Sequence, residues 1–184
     1  MDENESFKDP GRSMSLPAQK FREIVFQMLY SYDMGRATDE NMIELLCGEL
    51  AVTKKAVKEA QTRMHQILEH LESIDTLIAK TSHSYTFERI QSVERNILRM
   101  GTFELLFDPS VPEKVAIAEA MRLARKFSTK ESASFVNAIL DVLYKSEKGQ
   151  SVDEKQIQLC AEELALIEEI SHEASLNKKD KTPT

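Results

Sequence analysis

ERIQSVERNILRMGTFELLF, Glu88 to Phe107, carries apolar side chains on most sides of a helix. Ile90, Val93, Ile97, Leu98, Met100, Phe103, Leu105 and Leu106 leave one polar stripe, formed by Glu88, Gln91, Arg95 and Arg99. A helix that is apolar nearly all round belongs at the centre of a domain, because each face needs a packing partner.

The flanking sequence supplies such partners. From Pro17, residues Phe21, Ile24, Val25, Met28, Leu29 and Tyr32 form one continuous apolar stripe of helical period, which Gly35 ends. A shorter helix is predicted over Asn41 to Leu50. A long third helix carries Ala60, Met64, Ile67, Leu71, Ile74 and Ile78 as a bundle seam. TSHSYTF, Thr81 to Phe87, breaks the pattern and joins two halves. Downstream, DPSVP is a turn that sets Pro112 at a first helical position. The next helix, Glu113 to Phe127, is expected to bury Ile117, Met121, Ala124 and Phe127. The last core helix buries Val136, Ile139, Leu140 and Leu143, and Ser128 with Glu131 fits an S-x-x-E capping box at its start. After Gly149 an acidic amphipathic helix runs from Val152 to Ile170, and LNKKDKTPT reads as a frayed tail.

The expectation is an all-α fold of about seven helices in two packed bundles. The helical domain spans residues 15–148, with bundles at 17–80 and 84–148. Residues 1–14 are expected to be a disordered leader and residues 149–184 an acidic helical extension.

Composition agrees. The 184 residues include only five Gly and five Pro, which favours helix. No apolar run approaches the roughly 18–20 residues of a membrane span. Cys47 and Cys160 match no metal or redox spacing and fit free thiols in a reducing cytoplasm. The net charge of −7 lies mostly in the ends. Residues 1–14 hold two basic and four acidic residues; residues 149–184 hold four and eight; residues 15–148 hold eighteen and nineteen. A near-neutral body is compatible with a basic patch, so acidity of the whole chain does not exclude nucleic acid.

Catalytic motifs are missing. There is no Gly-rich phosphate loop, no HExxH and no GxSxG. His65 and His70 are five apart and do not share a helix face, and His83 and His172 are isolated, so no metal or cofactor is expected. Glu162/Glu163 and Glu168/Glu169 point apart on their helix and read as solvated charge.

The basic signal lies at Lys114, Arg122, Arg125, Lys126 and Lys130. Phe135 and Asn137 follow closely in sequence. Phe135 lies about 100° round the helix from Val136, at the edge of the core stripe. It is either a partly buried aromatic beside a solvated face or a stacking aromatic beside phosphate-binding cations.

VERNILRMGTFELLFDPSVPEKVAIAEAMRLARKFSTKESASFVNAILD resembles the C-terminal half of the NusB family of bacterial antitermination factors. REIVFQMLYSYD, at Arg22 to Asp33, resembles the family's first helix. The resemblance implies a non-catalytic protein that binds boxA RNA together with NusE, a protein of the small ribosomal subunit, and joins an RNA polymerase antitermination complex on ribosomal RNA operons. It implies an RNA surface at Lys20, Arg22, Tyr30, Lys130, Glu131, Phe135 and Asn137. It implies a NusE surface at Glu88 and Glu94, with Arg95 and Arg99 as neighbours. A homodimer is compatible with it.

The sequence also departs from the family. Gln19 and Lys20 stand where arginines are common, so fewer phosphate contacts and weaker RNA binding are expected. Ala138 replaces the glycine of FVNG, and Ala118 replaces a usual asparagine. The extension is expected either to dock on the body or to compete with RNA for the basic lip. Two other readings are a protein–protein adaptor in small-subunit assembly and a NusB-like module of an RNA methyltransferase. The latter is disfavoured, because too few residues follow for a nucleotide-binding domain.

Overall fold

A computed structural model describes residues 16–36, 40–82, 85–152 and 155–179. The leader expected at 1–14, His83, the His172 side chain and residues 180–184 lie outside the described residues. Among the described residues there are eight α-helices and no strand. They are α1 (Ala18–Asp33), α2 (Glu40–Leu50), α3 (Lys54–Glu69), α4 (Leu71–Thr81), α5 (Ser92–Leu106), α6 (Glu113–Phe127), α7 (Lys130–Glu147) and α8 (Lys155–Lys179). A short 3-10 turn, Phe87–Arg89, precedes α5.

The central helix is α5, as its composition requires. It packs against α1, α3, α4, α6 and α7, and every residue from Asn96 to Leu105 is buried. Gly101 explains how closely α6 and α7 approach: a Cβ there would lie 2.9 Å from Leu140 Cδ1 and 3.2 Å from Ala120 Cβ. The described core is one continuous apolar cluster running from Ile24 to Leu164, so α5 is shared by both helical groups.

Four local expectations are corrected. The long third helix is broken at His70 into α3 and α4. His70 N–H bonds Ile67 O at 3.1 Å, a tightened turn, and its ring packs on Phe103 and Phe107. The bend keeps the seam against α5, and Met64, Ile67, Ile74 and Ile78 are all buried. In α6 the buried residues are Ala116, Ala120, Leu123 and Ala124. Ile117, Met121 and Phe127 are half-buried, because small side chains must face the close approach at Gly101. The N-cap of α7 is Thr129, whose Oγ1 accepts from Ser132 N at 3.1 Å, a cap worth about 1 kcal/mol. Ser128, expected in that role, instead donates to Glu94. The predicted frayed tail is helical as far as Lys179.

The extension docks on the body. α8 packs on α7 through Ile157, Cys160, Ala161 and Leu164, all buried. Gly149, at φ +65°, ends α7 in the left-handed conformation that reverses the chain. No helix among the described residues is long and apolar enough to cross a membrane.

Candidate nucleic-acid interface

The start of α1 and the second half of α6 lie side by side, joined by a carboxylate. Glu23 accepts from Arg122 Nη1 at 2.8 Å and from Lys126 Nζ at 2.7 Å. Burial alone would raise the Glu23 carboxyl, but these two cations outweigh it and hold the group below its ordinary range. Arg122 Nη2 also donates to Gln19 O at 3.2 Å. Lys126 and Arg122 are thus partly neutralised, whereas Lys20, Arg125 and Lys130 form no ion pair among the described residues. Arg125 and Lys130 are exposed and Lys20 is half-buried. Unpaired cations at helix ends are what a phosphate backbone needs, since each can exchange its counterion for a phosphate.

Several residues expected at interfaces serve the interior instead. Arg22 is buried, and its Nε–H donates to both oxygens of Glu104, at 2.9 and 3.0 Å. Burial raises the Glu104 carboxyl, and the Arg22 charge only partly offsets this. Phe135 is 0% exposed and packs edge-to-face on Tyr85, with ring centroids 5.6 Å apart. The stacking face expected there is closed in this conformation, because α7 is covered on more than one side. Glu131 and Asn137 are half-buried, and Tyr30 is exposed.

The expected acidic partner surface is divided in the same way. Glu88 is exposed in the 3-10 turn, but Glu94 is buried. Its Oε1 accepts from Ser128 Oγ and Ser132 Oγ, each at 2.6 Å, while Oε2 has no partner. The first turn of α5 favours this negative charge through the helix dipole. Arg95 and Arg99 are tied to Asp33, and Arg99 also to Asp75. They brace α1 and α4 against α5 rather than standing free beside a partner.

Sequence reasoning missed two features. Arg125 was counted only as part of a basic run, although its lack of a partner distinguishes it from Arg122. A groove of about 360 Å³ between α1, α2, α5 and α6 was not foreseen; its walls are Phe26, Tyr30, Leu45, Leu46, Val93 and Phe127. Tyr30 and Leu45 are exposed at its edge. Among the described residues no cluster of His, Cys, Asp and Glu is arranged to hold a metal.

The NusB family model matches residues 19–145, a span that stops before α8. The transcription antitermination protein NusB of Chlamydia pneumoniae is 36% identical over 132 residues, covering 72% of this chain and 82% of the relative. That of Myxococcus xanthus is 37% identical over 124 residues, covering 65% and 89%. The fold is similar to T. maritima NusB, with a TM-score of 0.61 at 31% identity, over 79% of this chain and 99% of that one. It is also similar to a chain of the solved complex of antitermination factors NusB and NusE with double-stranded RNA, with a TM-score of 0.60 at 29% identity, over 70% and 96%. With this much of the chain matched, from α1 to the end of α7, the protein belongs to the NusB family.

Proposed function

We propose that the chain is a non-catalytic adaptor that binds boxA RNA together with NusE and promotes antitermination on ribosomal RNA operons. The carrying observation is the row of unpaired cations, Lys20, Arg125 and Lys130, on a body of the NusB family. The related complex of NusB and NusE with RNA supports the choice of partners. RNA reaches the α1–α6 seam and the start of α7, and half-buried Asn137, two turns further along, is a base contact. Arg22 supports that surface from below through Glu104. The groove beside Tyr30 and the exposed Glu88 face protein partners, NusE and the RNA polymerase complex. The protein acts in the cytoplasm, as its free thiols fit.

The test is titration of labelled boxA RNA and a scrambled control with purified protein, with and without NusE. Preference for boxA is expected and should strengthen with NusE. Equal affinity for both RNAs in both states would defeat the proposal. An adaptor that touches NusE and little RNA is the second reading, favoured by burial of Phe135 and by internal pairing of Arg22. NusE binding without any RNA binding would select it.

A further inference from the structure

We infer that α8 is a displaceable cover over an aromatic stacking site for single-stranded RNA, formed by Tyr85 and Phe135. This inference rests on the RNA-binding reading above and concerns how that surface is opened.

Tyr85 and Phe135 are buried at 3% and 0% exposure in an edge-to-face pair. The Arg89 guanidinium lies 5.0 Å from the Tyr85 ring centroid and is exposed. Aromatic rings beside a cation are the elements single-stranded binders use, with bases on the rings and phosphates on the cation. The extension lies across the Tyr85 side of the site. Glu168 of α8 accepts from the Tyr85 hydroxyl at 3.3 Å. Gln158, Ala161, Glu162 and Ala165 of α8 lie across Tyr85 and Arg89.

The cover is built to come off. Its latch is long for a hydrogen bond to a carboxylate, where 2.5–2.7 Å is typical of strong ones. A surface crevice of about 140 Å³ opens between it and Tyr85 and Arg89. Its buried contacts include two small side chains, Cys160 and Ala161. It also places Glu168 close to buried Glu94, whose Oε2 has no hydrogen-bond partner. The charge of Glu94 acts against a charge on Glu168. Finally, α8 sets Glu162 and Glu168 around Arg89, where an RNA strand would set phosphates, so the two compete for one cation.

The test uses the full chain carrying Cys47→Ser, leaving Cys160 as its one thiol. Cys160 is a buried residue of α8 itself, so its alkylation rate reports release of the cover. Saturating boxA RNA is expected to raise that rate several-fold. Leu164→Asp, with helicity checked by circular dichroism, is expected to tighten RNA binding about tenfold if the site is open in about one molecule in ten. RNA that binds while Cys160 alkylation stays unchanged or slows overturns the cover and leaves the adaptor reading intact. Failure of both proteins to bind RNA overturns the adaptor reading and the cover with it.

Discussion

Arg99 Nη1 on α5 donates to Asp33 Oδ1 at 2.8 Å, fastening the last turn of α1 to the central helix. Arg95 Nη2 and Asn96 Nδ2 reach the other oxygen of Asp33 at 2.7 and 3.1 Å. One carboxylate therefore satisfies three side chains of α5. Asp33→Ala should cost about 2–3 kcal/mol, less than the roughly 3–5 kcal/mol of a fully broken buried pair, because Asp75 still holds Arg99. Urea unfolding of the two proteins measures the difference.

The same group sets an acid limit. Burial would raise the Asp33 carboxyl, but Arg95 and Arg99 together hold it below 3.8. A depressed carboxylate contributes stability that is complete above its unfolded value and is lost as pH falls through the folded one. Stability should therefore drop below about pH 4. The drop should be smaller in Asp33→Asn, as followed by urea midpoints across that range.

Glu168 titrates in the opposite sense. Burial, and then the nearby charge of Glu94, raise its carboxyl above 4.5, outweighing the Tyr85 hydroxyl, Gln91 and Arg89. A raised carboxyl favours docking below its unfolded value, and the advantage is lost as pH rises through the folded value. Hydrogen exchange of α8, corrected for intrinsic rates, should show firmer protection near pH 4 than near pH 7. Glu168→Gln should remove most of that difference.

Gly101→Ala tests the close packing of α5 on α6 and α7. The added methyl meets Leu140 Cδ1 and the Cβ of Ala120. Leu140 can give way at its tip, but Ala120 cannot. A cost of about 1–3 kcal/mol is expected from overpacking, lowering the melting temperature by roughly 2–4 °C per kcal/mol for a chain of this size.

Phe135→Ala and Arg125→Ala differ in what they should cost in stability. Phe135 is fully buried, so its truncation should cost about 3–5 kcal/mol. Arg125 is exposed and unpaired, so its loss should leave the melting temperature within a degree or so. It should lower the salt dependence of single-stranded RNA binding by about 0.7 per phosphate contact removed. A salt slope equal to that of the parent would remove Arg125 from the interface.

The sequence by itself determined the helices and the central place of α5, because a 3.6-residue period in apolar residues is a local property. The stripes of α1 and the Met64–Ile78 seam could be read for that reason, as could the acidic helix after Gly149. Tertiary structure decided which polar groups stay free. Arg122 and Arg125 stand three residues apart with the same side chain, yet only Arg122 meets Glu23, a partner 99 residues away. The sequence pattern pointed to Ser128 as the cap, but its hydroxyl goes to Glu94 and Thr129 caps the helix instead. Phe135 lay at the edge of its stripe, and whether an edge is lip or core depends on what packs over it. The rotation of α6 followed from Gly101, and the break at His70 from the rings of Phe103 and Phe107. Each outcome turned on residues distant in sequence, for which the periodicity of a single helix carries no information.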